Sequence, residues 1–240
     1  MPDLHYTDDR LARLYDAECG WSADRQFYLT LAGTTPIRIL DLGCGTGLLC
    51  NAYAAAGHSV TGVDPAGAML EIARQKTHAA KIRWVQVAGQ DYESKDTFDL
   101  IIMTCHAFQV LLTEADIAAT LAKARKHLPP GGRFVFECRN PAIDWAGCWH
   151  GQSTTINYQG QPLNIARTIL NHSGDQIGFA TAYTLPDGIL TSHSTLRFPD
   201  CDQITTWLTD AGFAMNAVCG GWNGSPFNPL TSEEMIFVAT

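Results

Sequence analysis

Short apolar segments and segments of helical period alternate along the first 140 residues. The apolar segments are four to seven residues long, end near a glycine or an acid, and read as buried strands. They are PIRILDLG, HSVTGVD, KIRWVQV, FDLIIMT and RFVFECR. Helical patterns separate them, in LLCNAYAAAG, in PAGAMLEIARQKTH and from Thr113 to about His127. This order predicts a parallel sheet wound by right-handed crossovers, with helices on both faces.

The pattern differs at the two ends of the chain. Two helical patterns, over about 8–19 and from Ser22, precede the first strand. Residues 153–199 lack helical period and are rich in β-branched residues between turn signals, which predicts antiparallel hairpins. A capping box of Asp200 and Gln203 opens one more helix, and FAMNAVC and EMIFVAT end the chain as strands.

These elements predict an α/β fold: a doubly wound, mostly parallel seven-stranded Rossmann-like sheet with an antiparallel β insertion after strand five. We expect a single domain over 1–240. Its parts are an N-terminal helical lid (1–34), a cofactor-binding core (35–140), an antiparallel β cap (141–199) and a C-terminal helix and hairpin (200–240).

Composition narrows the function classes. The 240-residue chain carries a formal charge of −8, and residues 140–240 hold eight acids but only two bases, Arg167 and Arg197. Nucleic-acid binding requires clustered Lys and Arg, so a nucleic-acid partner is not expected. The sequence shows neither a signal peptide nor an apolar run long enough to span a membrane, which predicts a cytoplasmic protein. The eight cysteines show no metal-ligand spacing, and no metal is expected.

The segment ILDLGCGTG, residues 39–47, carries the most specific chemistry. A strand ends near Asp41, and Gly43, Gly45 and Gly47 then form a turn into a helix. The third glycine comes one residue earlier than in a dinucleotide fingerprint, and Asp41 would repel a pyrophosphate. An acid here suits a ligand with an amino or sulfonium group. The next strand ends at Asp64, where a carboxylate can accept bonds from ribose hydroxyls.

At DLGCGTG, GVDPAGAML, FDLIIMT and PPGGRFVFE the chain resembles the class I S-adenosylmethionine-dependent methyltransferases. The resemblance is close over residues 35–140 and looser over 200–240. It implies S-adenosyl-L-methionine as cofactor, with Asp41 and the three glycines along its methionine part, Asp64 on the ribose and Met69 on the adenine. Either Gln90 or Asp91 would meet the adenine amino group. Thr104, at the carboxyl end of strand four, completes the expected cofactor site.

His106 is the candidate catalytic residue, because it follows strand four at the edge where ligands bind in open α/β sheets. It would act as general base, steer the substrate or contact the cofactor; a buried histidine without a chemical role is the alternative. The segment lacks the Asn/Asp-Pro-Pro-aromatic motif of amino-methylating nucleic-acid enzymes that resemble this family. It also lacks the acids of the magnesium-dependent relatives.

The predicted function is methyl transfer to an oxygen, nitrogen or carbon atom of a small-molecule acceptor. The alternatives are a non-catalytic S-adenosylmethionine-binding module and a nicotinamide-dependent oxidoreductase. We expect the β cap to enclose a neutral or cationic acceptor; a small acid held between Arg167 and Arg197 is the main exception. Arg139 is expected to pair with Glu137 or Asp144, the alternative being a substrate carboxylate. The acceptor's identity and the oligomeric state are not predicted.

Overall fold

The structure is a computed structural model that describes residues 3–240. Its strands are β1 (Arg38–Leu42), β2 (Ser59–Val63), β3 (Ile82–Val85), β4 (Leu100–Met103), β5 (Arg133–Arg139), β6 (Ser153–Tyr158), β7 (Gln161–Ser173), β8 (Gln176–Leu185), β9 (Gly188–Arg197), β10 (Met215–Cys219) and β11 (Glu234–Ala239). Its α-helices are α1 (Leu4–Thr7), α2 (Asp9–Glu18), α3 (Ala23–Leu31), α4 (Leu48–Ala55), α5 (Gly67–Ala73), α6 (Glu114–Lys126), α7 (Trp145–Trp149) and α8 (Cys201–Asp210).

The main sheet has seven strands in the order β10-β11-β5-β4-β1-β2-β3. Strands β1 to β5 are parallel to one another, whereas β11 runs antiparallel to both β5 and β10. The predicted fold class is therefore confirmed. Since β1 and β4 are adjacent but not consecutive in the chain, the winding direction reverses between them, and ligands bind beside such a point.

Helices cover both faces of this sheet. Leu40 of β1 belongs to a core cluster with side chains of α6 and α8, such as Leu121 and Leu208. Ile39, its neighbour on the same strand, belongs to a second cluster with side chains of α3 and α4, such as Tyr28. Consecutive strand residues point to opposite faces of the sheet. A strand that is buried on both faces therefore has a continuous run of apolar residues in its sequence.

Polar residues set the helix ends. Asp200 and Gln203 form the predicted capping box of α8, with bonds of 2.8 and 3.0 Å between each side chain and the other's backbone nitrogen.

Helix α5 is shorter than the helical pattern in PAGAMLEIARQKTH predicts. It ends at Ala73, where the bond from Gln75 N to the carbonyl of Ile72 tightens the chain into a turn.

The second sheet consists of β6-β7-β8-β9, all antiparallel, as predicted for residues 153–199. Leu163 and Tyr183 of this sheet pack against Leu11 and Leu14 of α2. On the other side of helix α2, Asp16 accepts hydrogen bonds from the Thr46 hydroxyl in the glycine-rich turn and from Lys76 Nζ. Helix α2 thus lies between the second sheet and the main sheet.

None of the helices within residues 3–240 has the length and hydropathy that a membrane span requires.

Candidate active site

The carboxyl ends of β1, β2 and β4 border a cavity of about 590 Å³, which we call the large cavity. Its volume falls in the range of small-molecule sites. Five of the predicted cofactor residues line it: Gly43, Gly45, Asp64, Gln90 and Thr104. The rest of its wall comes from the N-terminal helices, from the segment after β4 and from the second sheet, including Tyr6, Tyr15, Leu111, Asn171 and Ser194.

The glycine-rich turn needs glycine for two physical reasons. Gly43 and Gly47 have positive φ angles of 81° and 68°, which side chains rarely adopt. A Cβ on Gly47 would also lie 2.4 Å from Cη2 of Trp84, and one on Gly43 would lie 2.9 Å from Cβ of Ala107. The turn therefore packs tightly against its neighbours while its backbone borders the large cavity.

Asp64 is held at the rim by two backbone bonds. Its Oδ2 accepts from Gly45 N and its Oδ1 from Ala66 N, both at 2.8 Å. Burial raises the pKa of this carboxyl, and the two backbone bonds oppose the rise. Each carboxylate oxygen can accept a further bond, so the group can serve two neighbouring hydroxyls of a ligand.

Asp41 is buried at the end of β1 and does not border the large cavity. Its Oδ2 accepts a bond from Cys50 Sγ at 3.3 Å, and its Oδ1 has no partner within residues 3–240. Burial raises the pKa of this carboxyl to about 7. The side chain thus has unused acceptor capacity next to the glycine-rich turn.

The structure places three other predicted cofactor residues away from the cavity wall. Gly47 is the N-cap of α4. Met69 is fully buried, in a cluster with Ala12 and Ala66. Asp91 is exposed, whereas its neighbour Gln90 lines the cavity, so the geometry favours the Gln90 alternative.

A smaller pocket of about 110 Å³ adjoins the large cavity and shares Tyr6, Tyr15, Cys105 and Ser194 with it. We call it the small pocket. Residues from four parts of the chain complete it: His5, Glu18, Cys19, His106, Arg139, Trp149, Arg167, Phe179, Thr181, Tyr183 and Leu196.

His106 lines the small pocket and not the large cavity. Its φ of 60° is unusual for a residue other than glycine. Its backbone N–H donates to Glu137 Oε1 at 2.8 Å, and its Nε2 lies 3.0 Å from both carboxylate oxygens of Glu234. Two buried or half-buried acids therefore fix this histidine in position.

A second histidine, which sequence reasoning missed, borders the same pocket. His5 Nδ1 is 2.8 Å from the Tyr183 hydroxyl, which also donates to Glu18 Oε2 at 3.2 Å. Burial, with a smaller effect of the Arg167 charge, lowers the pKa of His5 to about 4. A lone histidine in a four-residue helix carries no signal in the sequence that could have revealed this contact.

The arginines differ from the sequence-based expectations. Arg139 contacts neither Glu137 nor Asp144; its Nη1 donates to Gln109 Oε1 at 2.9 Å. Arg197 pairs with Asp175 at 2.6 Å and does not line either cavity. The exception named for a small acid, held between Arg167 and Arg197, therefore does not occur in this arrangement. The second arginine beside Arg167 comes from β5 instead.

The order of the strands defines a Rossmann-like fold. The glycine-rich turn lies between Asp41 at the end of β1 and helix α4, as in nucleotide-binding sites of this fold. A solved S-adenosylmethionine-dependent methyltransferase from Clostridium acetobutylicum has the same fold (TM-score 0.79, 15% identity, 97% of this chain and 98% of that one). The sugar N-methyltransferase KedS8 from Streptoalloteichus sp. does too (TM-score 0.76, 18% identity, 94% and 89%).

The chain is also similar in sequence to methyltransferases. Residues 39–132 match the family described as a methyltransferase domain. The cypemycin N-terminal methyltransferase of Streptomyces sp. is 25% identical over 202 residues, 82% of this chain and 81% of that protein. The similarity supports an S-adenosylmethionine-dependent methyltransferase of class I, an enzyme with S-adenosylmethionine as its cofactor. This decides against the alternatives of a non-catalytic module and an oxidoreductase.

Proposed function

We propose that the enzyme methylates a small molecule that binds in the small pocket, with the cofactor in the large cavity. The observation that carries this proposal is the shared wall. Tyr6, Tyr15, Cys105 and Ser194 border both spaces, so a group in one is adjacent to a group in the other. When bound, S-adenosylmethionine supplies an electrophilic methyl group on its sulfonium sulfur. Transfer depends mainly on alignment and exclusion of water, which the enclosing helices and second sheet provide.

The residues around the large cavity fit this cofactor. We assign the ribose hydroxyls to Asp64, whose carboxylate has free acceptor positions at the rim. Gln90 is assigned to the adenine amino group, with Thr104 and the backbone of Gly43 and Gly45 along the rest of the cavity. The unpartnered Oδ1 of Asp41 suits a cationic amino group, reached directly or through water. Gly47 and Met69 support the turn and α5, and Asp91 has no assigned contact.

For His106 we propose the role of general base on the acceptor. A carboxylate can only accept, so Glu234 favours the tautomer with the proton on Nε2, which in the neutral ring leaves Nδ1 as an acceptor. An unprotonated ring nitrogen can take the proton that an oxygen or nitrogen nucleophile loses on methylation. The arrangement resembles other sites where a carboxylate orients a catalytic imidazole.

The wider setting agrees with a small acceptor. The sugar N-methyltransferase with the same fold acts on a sugar, according to its name. The small pocket is lined by side chains of the N-terminal helices and the second sheet, so we propose that residues 1–34 and 141–199 act with the core as one domain. The acidic chain, with two bases after residue 139, favours a cytoplasmic enzyme without a nucleic-acid acceptor.

Two measurements test the proposal. Calorimetry with S-adenosylhomocysteine measures the cofactor site, and Asp64→Ala is expected to weaken binding by about 1–3 kcal/mol because the ribose loses a charged acceptor. Asp91→Ala, on an exposed neighbour of the cavity, is the matched control and leaves the affinity unchanged. An equal effect of both changes would contradict the assignment.

The second measurement is turnover, followed as S-adenosylhomocysteine release with a small-metabolite panel, tRNA and DNA. Activity confined to small molecules is the expected result. Robust methylation of either nucleic acid, weakened by salt, would overturn the proposed acceptor class.

A further inference from the structure

Two arginines in the small pocket lack an acidic partner. Arg139 and Arg167 both line it, and no carboxylate within residues 3–240 comes within 4.0 Å of either guanidinium. Arg167 Nε is buried and has no hydrogen-bond partner in that part of the chain. Buried cations are normally paired, so these donors are available to a ligand.

The two guanidiniums flank one aromatic side chain. Their Cζ atoms lie 5.0 Å (Arg139) and 4.9 Å (Arg167) from the ring centroid of Trp149, which is itself buried. Contact with an aromatic face holds a guanidinium in place without using its hydrogen-bond donors. Gln109 takes one donor of Arg139, and the remaining N–H groups are not used by it.

The acids nearby do not neutralise this pair by contact. Glu234 binds His106, and Glu137 accepts from the Tyr28 hydroxyl and from the His106 backbone. Glu18 accepts from Tyr183, and burial raises the pKa of its carboxyl. Each of these carboxylates has another partner, so the arginine donors have no acidic partner.

We propose that the methyl acceptor carries a carboxylate, and that Arg139 and Arg167 bind it at the end of the small pocket lined by Trp149. Planar guanidinium groups match the two oxygens of a carboxylate, and charge-assisted bonds of this kind are the strong ones. This inference rests on the proposed function, since it assigns the acceptor to the small pocket. It reverses the expectation of a neutral or cationic acceptor. The part of that expectation that concerned charge rested on the number of bases in the sequence, whereas the fold places Arg139 of β5 beside Arg167 of β7.

The experiment is calorimetry on enzyme saturated with S-adenosylhomocysteine, whose own binding is measured first. The probes are acetate, benzoate and phenylacetate, each paired with its neutral amide, and inorganic phosphate. At least one carboxylate is expected to bind about tenfold or more tightly than its amide. Arg139→Gln and Arg167→Gln should each abolish that preference and leave S-adenosylhomocysteine binding unchanged. Arg197→Gln is the matched control and should keep the preference, because Arg197 belongs to the second sheet and pairs with Asp175 outside the pocket.

Three results would overturn the inference: equal binding of acid and amide in all three pairs, phosphate binding as tight as the best carboxylate, or a preference that survives both glutamine variants. Arg167→Lys separates charge from packing, because lysine keeps the cation but loses the planar fork. It should retain part of the preference. Failure of S-adenosylhomocysteine itself to bind would refute the proposed function instead, before any acid is added.

Discussion

The large cavity and the small pocket are built in opposite ways. The cofactor residues of the large cavity fall between Gly43 and Thr104, at the ends of strands that lie side by side. Backbone groups and close packing form much of the wall of that cavity. The small pocket draws on residues from His5 to Leu196, and ionisable side chains dominate it.

This difference affects how each region tolerates change. A backbone turn depends on conformation and space, so a single added methyl group disrupts it. A pocket of side chains depends on charge and hydrogen bonding, so the fold can survive substitutions that remove its function. Substitutions in the two regions should therefore differ in kind as well as in size.

Gly47→Ala is expected to cost about 2–5 kcal/mol of unfolding free energy, as the sum of about 1–2 for the left-handed backbone and about 1–3 for overpacking against Trp84. Gly33→Ala is the matched control, because Gly33 has the same φ of 68° but no atom within 4 Å of the added Cβ. Urea unfolding of both variants separates the two costs. Equal losses would mean that Trp84 moves aside and that close packing at the turn is unimportant.

His106→Asn is expected to lower the turnover rate about 100-fold, the lower end of the contribution of a general base. Asparagine tolerates the positive φ at this position, so the fold should be retained. The measurement is the initial rate against pH with an acceptor identified by the panel, and His172→Asn on the exposed face of the second sheet is the control. A lowered rate with an unchanged pH profile would leave His106 as a positioning residue only, and an unchanged rate would contradict the general-base role.

The contrast also explains how far the sequence predicts the structure. The seven-stranded sheet, the second sheet and the cap of α8 follow from local patterns, since strand and helix periods and capping residues act within a few positions. The same holds for Gly43, Gly45 and Asp64, which reach the large cavity because they end adjacent strands.

The small pocket could not be predicted in this way. His5, Glu18 and Arg167 are isolated polar residues in unrelated elements, and only the packing of α2 between the two sheets brings them together. Arg139 was expected to find an acid near it in sequence. Glu137 lies two residues away on the same strand, but its carboxylate accepts from Tyr28 and His106 instead. Arg139 donates to Gln109 and contacts Trp149.

Asp41→Asn is expected to stabilise the protein in alkaline solution. The wild-type carboxyl has a pKa of about 7 in the folded state, above its ordinary value of 3.8, so folding favours the protonated form. Its contribution to stability is fully present below pH 3.8 and is lost as the pH rises through 7. Asparagine does not titrate, so the variant should match wild type at pH 4 and exceed it at pH 8. Urea unfolding at the two values measures this, and equal stability at pH 8 would show that the carboxylate is solvated.

Gln90→Leu is expected to have the smallest effect, weakening S-adenosylhomocysteine binding by about 1 kcal/mol, the usual net value of one neutral hydrogen bond. The expected partner is the adenine amino group, which an inosine analogue, S-inosylhomocysteine, lacks. If Gln90 accepts from that group, the leucine variant and wild type should differ for the adenosine ligand and agree for the inosine ligand. Such a double-mutant cycle isolates the pair from general changes in the cavity. Asp91→Asn, one residue further and exposed, is the control. A loss of the same size for both ligands would place the Gln90 contact elsewhere on the cofactor. A loss in Asp91→Asn alone would assign the contact with the adenine amino group to Asp91 instead.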